Sequence, residues 1–152
     1  MEDILREHLI QQEMHRLSGT DDAALAALNA DSVLRRVSWF RENKDRLLFL
    51  SEDLLDSAYR LLLTRFGISS EEAPIVSRTE SQITFHSQNF CPTLEACKRL
   101  GLDTRHICRC INEDSTNQLI RQIDPRLTFS RNYEKLRPHS PYCEEMISLN
   151  QQ

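Results

Sequence analysis

The chain has five cysteines, and all of them fall after residue 90: Cys91, Cys97, Cys108, Cys110 and Cys143. Cys91 stands immediately before Pro92, a residue favoured at the first position of a helix. The stretch from Pro92 to Leu100 suits a helix, and Gly101 suits its end. Cys91 is therefore read as the N-cap. A thiol there meets free backbone N–H groups and the positive end of the helix dipole, which favour the thiolate and suit a nucleophile or a metal ligand. The competing reading is a small buried residue that closes a strand–helix corner. Glu95 lies one helical turn after Cys91, on the same face, where it could act as general base or orient the thiol.

Cys108 and Cys110 form a C-x-C pair, a weaker zinc signal than C-x-x-C. Residues two apart on a helix point in nearly opposite directions, so at most one of this pair faces a common site. Cys143 opens the last strand and is followed by Glu144 and Glu145. If a helix packs across that end of the sheet, Cys91, one of Cys108 and Cys110, and Cys143 can meet. Such a cluster could hold zinc, with an acid or water as fourth ligand, or its members could simply pack. Cys97 lies in line with Leu94 and Gly101 and reads as a packing residue. His86 precedes Cys91 on the polar side of its strand, so a Cys–His pair competes with a surface histidine; His106 and His139 read as exposed. Arginines at 99, 105, 109, 121, 126, 131 and 137 include one or two that could bind a carboxylate or phosphate. The chain has no Gly-rich phosphate loop, no G-x-S-x-G and no H-E-x-x-H.

The elements that must position these residues change character along the chain. Residues 2–17 read as a helix, with Ile4, Leu5, His8, Leu9 and Leu17 near one face. Asp21 or Asp22 can cap a short helix that ends near Asn29, and Asp31 or Ser32 can cap the next, carrying Val33, Leu34, Val37 and Phe40. Ser51 is read as the cap of a helix that Gly67 ends. Residues 68–80 read as a connection. Ile83 and Phe85 alternate with polar residues, as in a half-buried strand. Asp103 can cap a short helix, and Ser115 with Gln118 forms a capping box for a third, which Pro125 closes. Strands over 126–134 and 142–149 flank a turn at Pro138–Pro141. The expectation is an α+β fold in one domain over 1–152. Its helical half is 1–67. Its second half, 81–149, holds a small antiparallel sheet, short helices and the cysteine-containing site.

A length of 152 residues supports a core without disulfides or a structural metal. A net charge of -4, with the whole negative excess in the first half, argues against nucleic acid as the main partner. No apolar run approaches the roughly 20 residues of a membrane span. The acidic N-terminus is unlike a signal peptide, and an odd cysteine count suits reduced thiols, so a cytoplasmic protein is expected. The expected partner is a small-molecule ligand or substrate, with neither nucleic acid nor membrane. The leucine-rich N-terminal helices, 51–66 among them, offer an apolar face for a homo-oligomer.

One resemblance spans residues 83–149. Cys91-x-x-x-Glu95 leads to Leu100-Gly101-Leu102; then come Cys110-x-x-Glu113, Pro125-x-Leu127-x-Phe129 and Tyr142-Cys143-Glu144. This pattern resembles the L-2-amino-thiazoline-4-carboxylic acid hydrolase-like family, whose members tend to have a Cys before a helix ending in Leu-Gly-Leu, a Cys near an acid, and a final Cys-Asp-Phe strand. Here Cys143-Glu144-Glu145-Met146 stands in place of the last, and His139-Ser140-Pro141-Tyr142 in place of its Gly-Asp turn. A fainter likeness is to small-molecule-binding domains of the vinyl-4-reductase type, in which C-terminal cysteines can hold zinc. The resemblance implies a hydrolase that opens a small cyclic C=N compound. Cys91, Glu95, Cys143 and Glu144 would be catalytic. Alternatively Cys91, Cys110 (or Cys108), Cys143 and Glu113 would hold a metal, zinc being the expected one, in a non-catalytic binding module.

Overall fold

In the computed structural model, residues 1–151 are described, and the chain is α+β as expected. Helix α1 (Glu2–Leu17) has acids in its first turn and His15 and Arg16 in its last, the arrangement a helix dipole favours. It buries Ile10 and Leu17. Ile4, Leu5 and Leu9, read above as its apolar face, are exposed. Helix α2 (Asp22–Asn43) is capped by Asp21, whose side chain accepts the Ala24 N–H at 2.8 Å. It runs unbroken through the expected boundary at Asn29–Ser32. Both expected caps are occupied elsewhere: Asp31 pairs with Arg35 at 2.9 Å, and the Ser32 hydroxyl accepts from Arg16 at 3.0 Å. With those side chains engaged, nothing competes for the helix backbone.

A 3-10 turn (Lys44–Arg46) leads towards helix α3 (Leu54–Phe66). Its cap is Asp53, not Ser51; Ser51 instead accepts the Asp53 N–H at 3.2 Å in the turn before the helix. Gly67 ends it with φ +65, as the sequence suggests. Leu55, Ala58, Tyr59, Leu61 and Leu62 are buried, so the apolar face of α3 is covered within the chain. Residues 68–80 are not merely a connection, because Ile75–Arg78 form strand β1. All four of its residues are exposed and none alternates, so its pairing with β2 is what makes it a strand.

Strand β2 is Gln82–Ser87, β3 is Leu127–Arg131 and β4 is Cys143–Leu149. The sheet is antiparallel, in the order β1-β2-β4-β3. Between β2 and β3 come α4 (Pro92–Leu100), α5 (Thr104–Cys108), a π-helical segment (Arg109–Glu113) and α6 (Asp114–Ile120). Asp103 caps α5 as expected. The Ser115 capping box does not form. Ser115 is buried inside a helical run, and its hydroxyl donates to the carbonyls of Ile111 and Asn112.

One apolar cluster joins α3, α6 and the sheet through residues such as Leu61, Ile83, Leu119, Phe129 and Ile147. A second joins α1, α2, α4 and α5 through Leu17, Leu25, Ala96, Cys97 and Ile107. Cys97 is fully buried there, as its position implies, and burial pushes its thiol up to about 12. No helix among the described residues is long and apolar enough to cross a membrane.

Candidate functional site

Strand register sets one wall of a cavity of about 270 Å³. Ser87 pairs with Cys143, Phe85 with Glu145, and Glu145 with Arg131. Residues directly opposite in an antiparallel pair share a face, so Phe85, Ser87, Cys143, Glu145 and Arg131 lie on one side of the sheet end. All five line the cavity. The helices close it. Arg36 comes from α2, Leu62, Leu63 and Phe66 from α3, Cys91 from the start of α4, and Cys108, Asn112 and Thr116 from the α5–α6 run.

The π segment shapes this last contribution. Such segments displace carbonyls from the regular helical ladder and recur at functional sites. Here the Asn112 carbonyl accepts from Thr116 Oγ1 at 2.7 Å, Ser115 Oγ at 3.1 Å and Arg36 Nη1 at 3.4 Å. Its side-chain oxygen accepts from Arg131 Nη2 at 2.7 Å. One residue thus ties two buried guanidiniums to the same point of the wall.

The structure brings together three of the five cysteines. Cys91, Cys108 and Cys143 all line the cavity. Cys91 caps α4, but its side chain makes no capping hydrogen bond. Burial pushes its thiol up, against the Leu94 N–H and the charge of Arg137, which pull it down. Burial thus works against the activation expected from the helix N-terminus, because loss of water disfavours the thiolate. Cys108 is likewise pushed up to about 12 by burial. Cys143 Sγ receives a hydrogen bond from Arg137 Nε at 3.3 Å.

The remaining candidates lie elsewhere. Glu95 pairs with Lys98 at 3.4 Å and is not among the cavity residues. Glu144 alternates with Cys143 and Glu145 and so projects from the opposite face of β4. There it bonds His86 Nε2 at 3.0 Å and Asn132 Nδ2 at 2.9 Å, which hold its carboxyl below the usual range. His86 stacks on Tyr142, with ring centroids 3.7 Å apart, and makes no pair with Cys91. Cys110 lies 3.8 Å from His106, against the second apolar cluster. Glu113 accepts the Arg131 backbone N–H at 3.2 Å. The set Cys91, Cys110, Cys143 and Glu113 is therefore not assembled. Among the described residues no three His, Cys, Asp or Glu side chains are grouped to hold a metal ion.

Sequence reasoning missed Arg36, Asn112 and Glu145. Glu145 had a signal: it shares the strand period with Cys143 and Ile147. Arg36 had one too, once α2 is continuous, for it lies four residues from both Ser32 and Phe40, which are buried. Asn112 had none, because the π segment that turns it inward leaves no mark in the residue pattern. Arg131 and Arg137, two of the seven arginines singled out, reach the cavity. Glu145 Oε2 lies 3.5 Å from Arg131 Nη2; burial is the largest single influence and pulls the Arg131 guanidinium down, but Glu145 together with Cys108, Tyr133 and Cys143 outweighs it and the net shift is upward. Arg36 is pulled down to about 9 by burial and by the neighbouring charges of Arg131, Arg65, Arg16 and Arg35.

In comparisons with protein-family models, curated proteins and solved structures, nothing matches this chain.

Proposed function

We propose that the chain binds a small organic molecule in the cavity between the sheet end and helices α2, α3 and α4. The observation that carries this reading is the cavity's lining. Leu62, Leu63, Phe66 and Phe85 supply apolar surface, while Arg36, Asn112, Thr116, Arg131 and Glu145 converge from five separate elements. Small-molecule sites combine an apolar body with a few fixed polar groups in this way. The cavity is of a size for one small ligand.

The test is thermal stability with a panel of small carboxylates, amides and alcohols. A ligand that binds only the folded state raises Tm as its concentration rises. At least one compound is expected to do so for the wild type, and Leu63→Trp, which fills the cavity, is expected to abolish the shift while folding normally. If no compound shifts Tm, or if the shift survives in Leu63→Trp, the reading fails.

Hydrolysis of a cyclic C=N ligand is the second reading, favoured by the opening of Cys91 and Cys143 onto one cavity. It ranks behind binding because burial disfavours the Cys91 thiolate and Glu95 is committed to Lys98. Turnover of an amino-thiazoline carboxylate, abolished by Cys91→Ser, is its required result.

A further inference from the structure

The cavity wall carries three guanidiniums, Arg36, Arg131 and Arg137, and one carboxylate, Glu145. Glu145 is already turned to Arg131. Among the described residues Arg36 has no acidic partner. It donates to the Asn112 carbonyl at 3.4 Å and Thr116 Oγ1 at 3.0 Å, and also to Ser115 Oγ, all neutral oxygens. Its guanidinium lies over the Phe66 ring, 4.8 Å from the centroid. Arg137 likewise has only neutral acceptors, the Asn89 carbonyl at 2.7 Å and the Cys143 sulfur. The Arg131 side chain is 10% exposed, and its Nη1 has no hydrogen-bond partner. Charges taken out of water are costly unless paired, and an unfilled donor on a buried cation adds to that cost.

We infer that the ligand is a small organic carboxylate, its anionic end facing Arg36 and Arg131 and its apolar body lying against Leu62, Leu63 and Phe85. This rests on the pocket reading above and names its chemistry. A guanidinium fork matches a carboxylate, and in a cavity poor in water the pairing is strong. Glu145 on the same wall repels a multiply charged anion more than a single carboxylate. The apolar surface beside the arginines gives an inorganic anion nothing to bury. A cation is disfavoured by the excess of guanidiniums.

The experiment is calorimetric titration of the full chain with straight-chain carboxylates from butanoate to octanoate, with the matching primary amides, and with inorganic phosphate. Charge-assisted hydrogen bonds predict that the best carboxylate binds about tenfold or more tighter than its amide. Glu145→Gln is expected to tighten the carboxylate and leave the amide unchanged, because it removes the competing acid. Arg36→Met is expected to weaken the carboxylate about tenfold or more. Should Arg36→Met fail to fold, Glu145→Gln still decides. Amides binding as tightly as carboxylates would overturn the inference and leave the pocket standing. Binding of carboxylate unaffected or weakened by Glu145→Gln would also overturn it, as would phosphate displacing the carboxylate at equal affinity. No binding by any member of either series would overturn both.

Discussion

Cys91 and Cys143 reach one cavity by different routes, the first as a helix cap and the second through strand register. What each thiol can do there depends on its surroundings more than on its residue type. A helix N-terminus favours a thiolate only to the extent that water remains to help it, and around Cys91 burial dominates. The expected outcome is slow alkylation of Cys91, Cys97 and Cys108 by iodoacetamide at pH 8, with Cys110 reacting first, as read by mass spectrometry of the folded protein. Fast labelling of Cys91 would restore the nucleophile reading. Glu144 provides a second test at this scale. Hydrogen bonds from Asn132 and then His86 lower its pKa from 4.5 in the folded chain. A carboxyl with a depressed folded pKa contributes stability that is fully present above its unfolded value and lost as the pH falls through its folded value. Stability should therefore decline with acidification below about pH 4.5, and Glu144→Gln should flatten that part of the profile, as measured by urea unfolding across pH.

Between elements, polar contacts tie α1 to α4 and the residues just before it, adding to the apolar cluster that joins the two helices. Arg99 holds Glu7 at 2.8 Å, Thr93 donates to Glu13, and Arg6 lies over the Phe90 ring at 4.9 Å. Hydrogen bonds from Arg99 and then Gln11 lower the Glu7 carboxyl to about 2, and an exposed pair of this kind is screened by salt. Glu7→Gln should destabilise the chain at neutral pH and low salt. The difference from wild type should shrink in high salt, and should vanish as the pH is lowered from 4.5 towards about 2. The end of α4 is set by backbone geometry. Gly101 holds φ +69, and the Leu102 N–H reaches the Cys97 carbonyl at 2.9 Å. A Cβ at Gly101 would meet nothing within 4 Å, so Gly101→Ala tests conformational strain alone. It should cost about 1–2 kcal/mol in urea unfolding.

Across the whole molecule, the cavity sits where the first apolar cluster meets the sheet end, with Leu62, Ala73 and Phe85 belonging to both cluster and lining. The cluster holds its walls apart as well as together, since a filled core resists collapse into neighbouring space. Ile147 is fully buried on β4, two residues beyond Glu145, and packs with Ile83 and Phe129 across the sheet. Ile147→Ala should lower unfolding free energy by about 2–5 kcal/mol, as measured by denaturant midpoint at constant slope. A loss below about 1 kcal/mol would mean that the site relaxes around the missing atoms.

Much of the fold is legible in the residue pattern. The bounds of α1 and α4, the cap at Cys91, the glycine ends at 67 and 101 and three of the four strands follow from periodicity and from residues that satisfy or break local backbone hydrogen bonds. Those are interactions over a few residues, and the residue types encode them directly. The errors have two physical origins: a side chain taken by a partner outside the capping pattern, and a strand made by its neighbour. Asp31, Ser32 and Ser115 are good caps, yet all three sit inside helices because Arg35, Arg16 and the displaced carbonyls of the π segment take their side chains. Strand β1 exists only through its pairing with β2. The site divides in the same way. The sequence alone places Cys91 at a helix start and Cys143 at a strand start; the expectation took Glu144 as its neighbour in the site, whereas strand alternation sets Glu145 on the face of Cys143. Only the tertiary structure sets Arg36 from α2 beside Arg131 from β3, through Asn112. No local rule joins residues 95 positions apart; packing of the helices on the sheet does, and packing also buries Cys91, which disfavours its thiolate.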